Sequence, residues 1–454
     1  MVKVSSPFSG EALGEVGGDT STEVGRSLEQ WSRGFPVLSP EKRAQILEAL
    51  SQGIRERAEF LAELIAKEGG KPLLDARVEV ARAATTVQLC AKAALEMGQL
   101  AEVDLGTTSA VGGRRATSRR EPIGPVLAIS AFNHPLNLIA HQAGSAIAAG
   151  CPFILKPALE TPLCAEWFKN KLLELGWPSD LIRFSVAENS QVEIWARDPR
   201  VRFISFIGSA RVGWHLRSVA APGTRLALEH GGSAPVVVDD SADLETAIPQ
   251  LIKGAFYHAG QVCVSVQRIY YAKNLEPEFL KRFTEAVDRL RVGDPLLEKT
   301  DVGPLIRARE LTRLKEWIGE AVAQGAELLR GGAALANQCF QPTVLWKAPQ
   351  NAKVIQEEVF GPLVSLMPFG DLDEAIELAN GVPWEFQAGI FSKKEDRVQK
   401  AIEGLRASAV LVNSATTFRT DAMPFGGRGP SGLGVGGIPY SVIEMTQDKL
   451  IVRN

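Results

Sequence analysis

The stretch Gly124-Pro125-Val126-Leu127-Ala128-Ile129-Ser130-Ala131-Phe132-Asn133-His134-Pro135-Leu136 decides how this chain is built. A short, wholly apolar run ends in a polar turn, and the small-residue segment from Leu136 to Ala149 follows at helical length. The same alternation continues downstream. Phe153 to Lys156 reads as a strand, Cys164 to Leu175 as a helix and Val201 to Ile207 as a strand. Fully apolar strands separated by helices predict a parallel sheet covered on both faces. Such sheets take ligands at the carboxyl ends of their strands.

A second alternating block begins at Pro235-Val236-Val237-Val238-Asp239. It continues through helix 276–290, strand 364–369, helix 373–379, strand 388–391, helix 397–404 and strand 409–413, and predicts a second α/β domain. The first hundred residues read mostly as helix. Ser39-Pro40-Glu41 has the chemistry of a helix start, and Gly69-Gly70 of a helix end. Another helix is expected over about 75–94. Thr107 to Arg120 reads as a basic hairpin turning at Gly112-Gly113, and Val442 to Arg453 as helix then strand.

At 454 residues the chain is too long for one core. Its net charge of −3 offers no cationic field for nucleic acid. No apolar run is long enough to span a bilayer: the best, Leu136 to Ala149, contains Asn137, His141 and Gln142. The five cysteines, Cys90, Cys151, Cys164, Cys263 and Cys339, are scattered without CxxC spacing. That disfavours a disulfide framework or a metal site and fits a reducing cytoplasm.

Cys263 stands apart from the other four. It lies in Ala259-Gly260-Gln261-Val262-Cys263-Val264-Ser265, downstream of Leu228-Glu229-His230-Gly231-Gly232. A thiolate can attack a carbonyl, and a carboxylate at an apolar strand end, its pKa raised, can activate water. Taken alone, Cys263 is better explained as a buried structural thiol, and Glu229 also fits a salt bridge or a solvated turn. Asn133 suits an oxyanion donor but also a helix cap. Phe206-Ile207-Gly208-Ser209-Ala210-Arg211-Val212-Gly213 runs from strand into helix and suits a pyrophosphate, although no GxGxxG is present. Lys156-Pro157-Ala158 ends a strand at the same edge.

Together these segments resemble the aldehyde dehydrogenase superfamily over nearly the whole chain. Glu357-Glu358-Val359-Phe360-Gly361-Pro362 and Pro424-Phe425-Gly426-Gly427 carry the likeness onward. Phe418-Arg419-x-Asp421-x-Met423-Pro424-Phe425 is most similar to the lactaldehyde and non-phosphorylating glyceraldehyde-phosphate dehydrogenase branch. The resemblance implies an α/β fold with a Rossmann-like NAD(P)-binding domain (1–104 and 121–231), a catalytic domain (232–436) and a small β oligomerisation arm (105–120 and 437–454). It implies Cys263 as nucleophile, Glu229 as base and Asn133 at the oxyanion. Ser130, Phe132, Lys156, Gly208, Ser209, Gly213, Glu358 and Phe360 would hold the cofactor.

A small-molecule aldehyde substrate and a homodimer or homotetramer follow from the same resemblance; nucleic acid, membrane and metal do not. His134, Arg419 and Phe425 are the expected substrate residues, and Arg419 would favour an anionic or hydroxylated aldehyde. A structural Arg419 paired with Asp421 is the competing reading. Departures from the family stand at Gln142 and Gly436, where charged proton-relay residues are usual, and at Leu159, where an acid often selects NAD. NAD and NADP therefore both stay open. A CoA-acylating enzyme and a non-catalytic scaffold are the alternatives; the Cys263, Glu229 and Asn133 set weighs against both.

Overall fold

The computed structural model describes residues 1–107 and 111–454. Among the described residues four sheets are formed. The first large one has the order Gly432–Leu433, Arg225–Glu229, Phe203–Ile207, Val126–Ile129, Phe153–Lys156, Ile182–Phe184. All its neighbours run parallel except Gly432–Leu433, which pairs antiparallel with Glu229 and Leu228. The chain enters at Val126–Ile129, builds outward on one side to Ile182–Phe184, and then returns to the other side with Phe203–Ile207. Strand order reverses between Val126–Ile129 and Phe203–Ile207, so a crevice opens at their carboxyl ends.

Gln142 splices that reversal. From helix Asn137–Ala149 its Nε2 donates to Ile129 O and Ser205 O, both at 3.0 Å, and to Ser205 Oγ at 3.1 Å. The helix itself is buried along its whole length, which accounts for its alanine and glycine content. Among the described residues no helix is long and apolar enough to cross a membrane.

The second large sheet has the order Glu327–Arg330, Thr343–Trp346, Leu363–Phe369, Val266–Ala272, Ala234–Val238, Gln387–Phe391, Ala409–Val412. Only its first pair is antiparallel. The segment from Glu229 to Ser233 leaves the carboxyl end of one sheet and enters the amino end of the other. The two sheets therefore face each other with opposite strand ends. The carboxyl-end rule thus holds for the first sheet and fails for the second, where Cys263 precedes Val266–Ala272 and Glu358 precedes Leu363–Phe369.

Arg268 anchors this crossover. Fully buried, it donates from Nε and Nη2 to Ser233 O at 2.9 and 2.6 Å and from Nη1 to Ala379 O at 3.0 Å. Arg268→Met strands those carbonyls. We expect it to cost about 3 kcal/mol, read as a lowered denaturant midpoint.

The small elements depart further from expectation. Val2–Ser5 and Ala12–Val16 form an antiparallel pair in a region that reads as helical from sequence. In the arm, Arg115–Pro122 lies between Thr446–Arg453 and Ala101–Val103. Ala101–Val103 is thus one strand partner of the arm; residues 108–110 of the expected hairpin lie outside the described residues. The helices match their local chemistry. Ser39 Oγ accepts from Lys42 N at 3.3 Å at the start of Pro40–Glu56, and Gly70 ends Ala58–Gly69 with φ of +71°.

Candidate active site

The site forms where the two sheets meet. Helix Leu244–Phe256 ends at Tyr257, and three successive residues then take left-handed backbone: His258 at φ 47°, Ala259 at 54° and Gly260 at 69°. The run costs energy at the two non-glycine positions and reverses the chain toward the first sheet. At Gly260 a Cβ would sit 2.1 Å from Gly361 O, so no larger residue fits. Gln261 fixes the loop through Oε1, which accepts from Ile306 N at 3.0 Å. Cys263 then emerges half-buried against Val262, Val264, Phe386 and Phe425.

Asn133 reaches this loop directly. Its Nδ2 donates to Gln261 O at 3.0 Å, leaving its second N–H free for another acceptor. The helix-cap alternative for Asn133 is excluded. Glu79 Oε1 takes that position, accepting from Leu136 N at 2.9 Å and Asn137 N at 3.2 Å.

Burial dominates the local electrostatics. It pushes the Cys263 thiol up to about 12, with Glu358 and Glu229 adding to the rise and Arg419 opposing it. The Glu229 carboxyl is raised by burial and lowered in part by Arg419. The thiol, both carboxyls and the guanidinium thus share one electrostatic field. Glu229 is closely encased, since a Cβ on Gly436 would lie 2.1 Å from its Oε1. Gly436→Ala should displace this carboxyl and lower turnover about tenfold or more, measured as kcat at saturating substrate.

The nucleotide-facing candidates line the strand-order reversal. Ser130, just past Val126–Ile129, has a buried Oγ without a partner. Lys156 ends Phe153–Lys156 and is buried, its ammonium destabilised by desolvation. Gly208 and Ser209 lead from Phe203–Ile207 into helix Ala210–Val219, whose first amides Ser209's side chain does not cap. Gly213 serves close packing: a Cβ there would be 1.9 Å from the His230 ring.

Across the cleft, Phe360 holds φ of 45° and meets Phe132 edge-on at 5.8 Å. Burial raises the Glu358 carboxyl to about 8, and its buried Oε1 has no partner. Gly231 admits it, since a Cβ there would stand 1.5 Å from Oε1. Open helix amides, orphaned Ser130 and Glu358 oxygens and glycine-lined walls fit a dinucleotide. Glu160, next to the absent NAD-selecting acid, accepts from Arg307 Nε at 2.6 Å.

Arg419 lies over the Phe425 ring, 3.5 Å from its centroid, and its buried Nε has no partner. The proposed Arg419–Asp421 pairing does not form. Asp421 instead accepts from Arg82 Nη2 at 2.6 Å, Arg82 Nε at 3.1 Å and Asn137 Nδ2 at 3.2 Å, and contacts His141 Nε2 at 2.8 Å. This network escapes a motif reading. Its only sequence signal is charge at 75, 79 and 82 on one face of helix Leu73–Glu96. His134 sits beside Asn133, with its ring 6.0 Å from Tyr257.

The sequence model of the aldehyde dehydrogenase family matches residues 1–451. The 3-sulfolactaldehyde dehydrogenase of Priestia aryabhattai is 34% identical over 456 residues, covering 100% of this chain and 95% of that protein. Among solved structures, aldehyde dehydrogenase 21 of Physcomitrella patens, in complex with the reaction product succinate, superposes with a TM-score of 0.96 at 31% identity, covering 100% and 95% of the two chains. Glyceraldehyde-3-phosphate dehydrogenase of Methanocaldococcus jannaschii, complexed with NADP, gives 0.93 at 32% identity, covering 100% and 99%.

Proposed function

Because the chain belongs to the aldehyde dehydrogenase family, we propose that it oxidises an anionic aldehyde to a carboxylic acid through a covalent Cys263 intermediate, using NAD or NADP. The observation that carries this reading is the shared electrostatic field of Cys263, Glu229 and Arg419, with the Asn133 amide tied to the same loop.

A thiol held near 12 needs a base, and Glu229, its own carboxyl raised, is matched to take the proton. Cys263 Sγ attacks the aldehyde carbon, and the oxygen gains negative charge. The free N–H of Asn133 and the Cys263 backbone N–H are the donors suited to it. The nicotinamide, when bound, supplies the hydride acceptor. Ser130, Phe132, Lys156, Gly208, Ser209, Glu358 and Phe360 would hold and orient the dinucleotide. Glu229 then deprotonates water, which attacks the Cys263 thioester and releases the acid. With Gln142 committed to strand splicing and Gly436 lacking a side chain, the proton leaves Glu229 through water. A hydrolytic base of this kind favours water over CoA as acyl acceptor.

Arg419 supports the anionic class. Its guanidinium is desolvated, stacked on Phe425 and free of Asp421. Two similar proteins point the same way, the 3-sulfolactaldehyde dehydrogenase with a sulfonated aldehyde and aldehyde dehydrogenase 21 with a dicarboxylate product. We expect Arg419→Ala to lower kcat/KM for anionic aldehydes by about a hundredfold and for neutral ones far less. Equal losses for both would reject the assignment. In this reading 1–104 with 121–231 is the cofactor-binding unit and 232–436 the catalytic unit. The arm, 105–120 with 437–454, joins copies into a homodimer or homotetramer.

A further inference from the structure

Gln387 is a buried amide that the mechanism above leaves unused. It begins strand Gln387–Phe391, keeps 3% exposure, and its Oε1 has no partner among the described residues. A buried carbonyl oxygen without a donor is costly, so a donor has to reach it. The space beside it has the right size. A cavity of about 10 Å³ lies against Gln387, Phe386 and Cys263 at the amino ends of Ala234–Val238 and Gln387–Phe391. Room of about 10–15 Å³ holds a single water molecule. The polar neighbours on the same wall are committed elsewhere. Ser233 Oγ donates to Ile355 O at 3.0 Å. Arg406, on the solvent side, donates from Nη2 to Asn380 O and, at 3.3 Å, to Val382 O.

Resting on Cys263 as the nucleophile, we infer that one resident water bridges Gln387 and Cys263, donating one hydrogen to Gln387 Oε1 and the other to the sulfur, and that Gln387 is thereby a positioning residue for the thiolate. Phe386 ties the cavity to the thiol, since it borders that space and belongs to the apolar cluster on which the Cys263 side chain packs. The sulfur needs such a donor. Of the charged groups that act on it, Glu358 and Glu229 oppose the thiolate and Arg419 alone favours it. The Asn133 amide and the Cys263 backbone N–H are meanwhile the donors suited to the carbonyl oxygen. A hydrogen bond to the charged form of the thiol stabilises that form. Glu229 is not part of the cavity wall, so this water is distinct from the one that Glu229 activates. When Glu229 takes the thiol proton, the bridging water keeps both of its own hydrogens and only changes from facing a thiol to facing a thiolate.

The test is the rate at which iodoacetamide alkylates Cys263 in the full chain, followed by mass spectrometry of the Cys263 peptide as a function of pH. Gln387→Leu is close to glutamine in size and removes the acceptor that fixes the water. It should slow alkylation about tenfold at every pH below the midpoint of the thiol, move that midpoint up by about one unit, and leave the limiting rate at high pH unchanged. Gln387→Asn keeps an amide and should restore part of the rate. The burst of reduced nicotinamide with 4-oxobutanoate should slow by the same factor, while hydrolysis of the acyl-enzyme keeps its wild-type rate. An unshifted midpoint, or a loss confined to the limiting rate, marks a merely structural amide and overturns the inference. Should the leucine variant fail to fold, a crystal structure of the wild type decides. A water within hydrogen-bond distance of both Gln387 Oε1 and Cys263 Sγ is the expected result, and a dry cavity overturns the inference. Alkylation of Cys263 that leaves dehydrogenase activity intact would reject the nucleophile reading instead, while the midpoint would still judge Gln387.

Discussion

Cys263→Ser is expected to remove dehydrogenase activity by at least about a thousandfold, the scale on which covalent catalysis depends on its nucleophile. Serine preserves the size of the side chain and its packing against Val262, Val264, Phe386 and Phe425, so the thermal midpoint should barely move. The measurement is nicotinamide reduction with a saturating anionic aldehyde, together with a stopped-flow trace. No burst should appear, because no acyl-enzyme forms. Esterase activity with an activated ester should vanish in parallel. Retention of more than a few per cent of wild-type turnover would place the nucleophile elsewhere. The other four cysteines are poor substitutes, being buried.

Glu229→Gln separates the two halves of the reaction. With the carboxylate gone, water is no longer activated, and kcat should fall about a hundred- to ten-thousandfold. A stoichiometric burst of reduced nicotinamide should survive wherever thiol deprotonation can use solvent at high pH, followed by slow release of acid. Mass spectrometry should then find the acyl adduct on Cys263. The pH profile carries a sign as well. Burial raises the Glu229 carboxyl above its ordinary value near 4.5. The base is active only when ionised, so the acid limb of kcat in the wild type should lie at higher pH than an exposed glutamate would give. Loss of the burst together with turnover would show that Glu229 serves the attack of Cys263 more than hydrolysis.

Much of the architecture is legible from local pattern. Val126–Ile129, Phe153–Lys156, Ala234–Val238 and Leu363–Phe369 are short apolar runs, and a run of that kind has few options except a strand buried on both faces. The N-terminal pair Val2–Ser5 and Ala12–Val16 is not legible in the same way, since its burial pattern is mixed and its partner lies across a turn. Residue identities also pointed to Cys263, Glu229 and Asn133, because thiol, carboxylate and amide are the groups that acyl chemistry requires. They left the roles of Asn133 and Arg419 open. Asn133 could equally cap a helix until Glu79, distant in sequence, was found occupying those amides. Arg419 could equally pair with Asp421 until Arg82, His141 and Asn137 were found to hold that carboxylate.

By itself the sequence determined the alternation of elements and the family, and it singled out the candidate reactive groups, since each reading depends on neighbours within a turn or a strand. Only the tertiary structure decided which strand ends face the site, which carboxylate is caged by Gly436 or Gly231, and that Asp421 is held by Arg82 while Arg419 stacks on Phe425. Those outcomes depend on contacts between residues hundreds of positions apart, where exclusion of water makes an unpaired charge costly and pairing therefore selective.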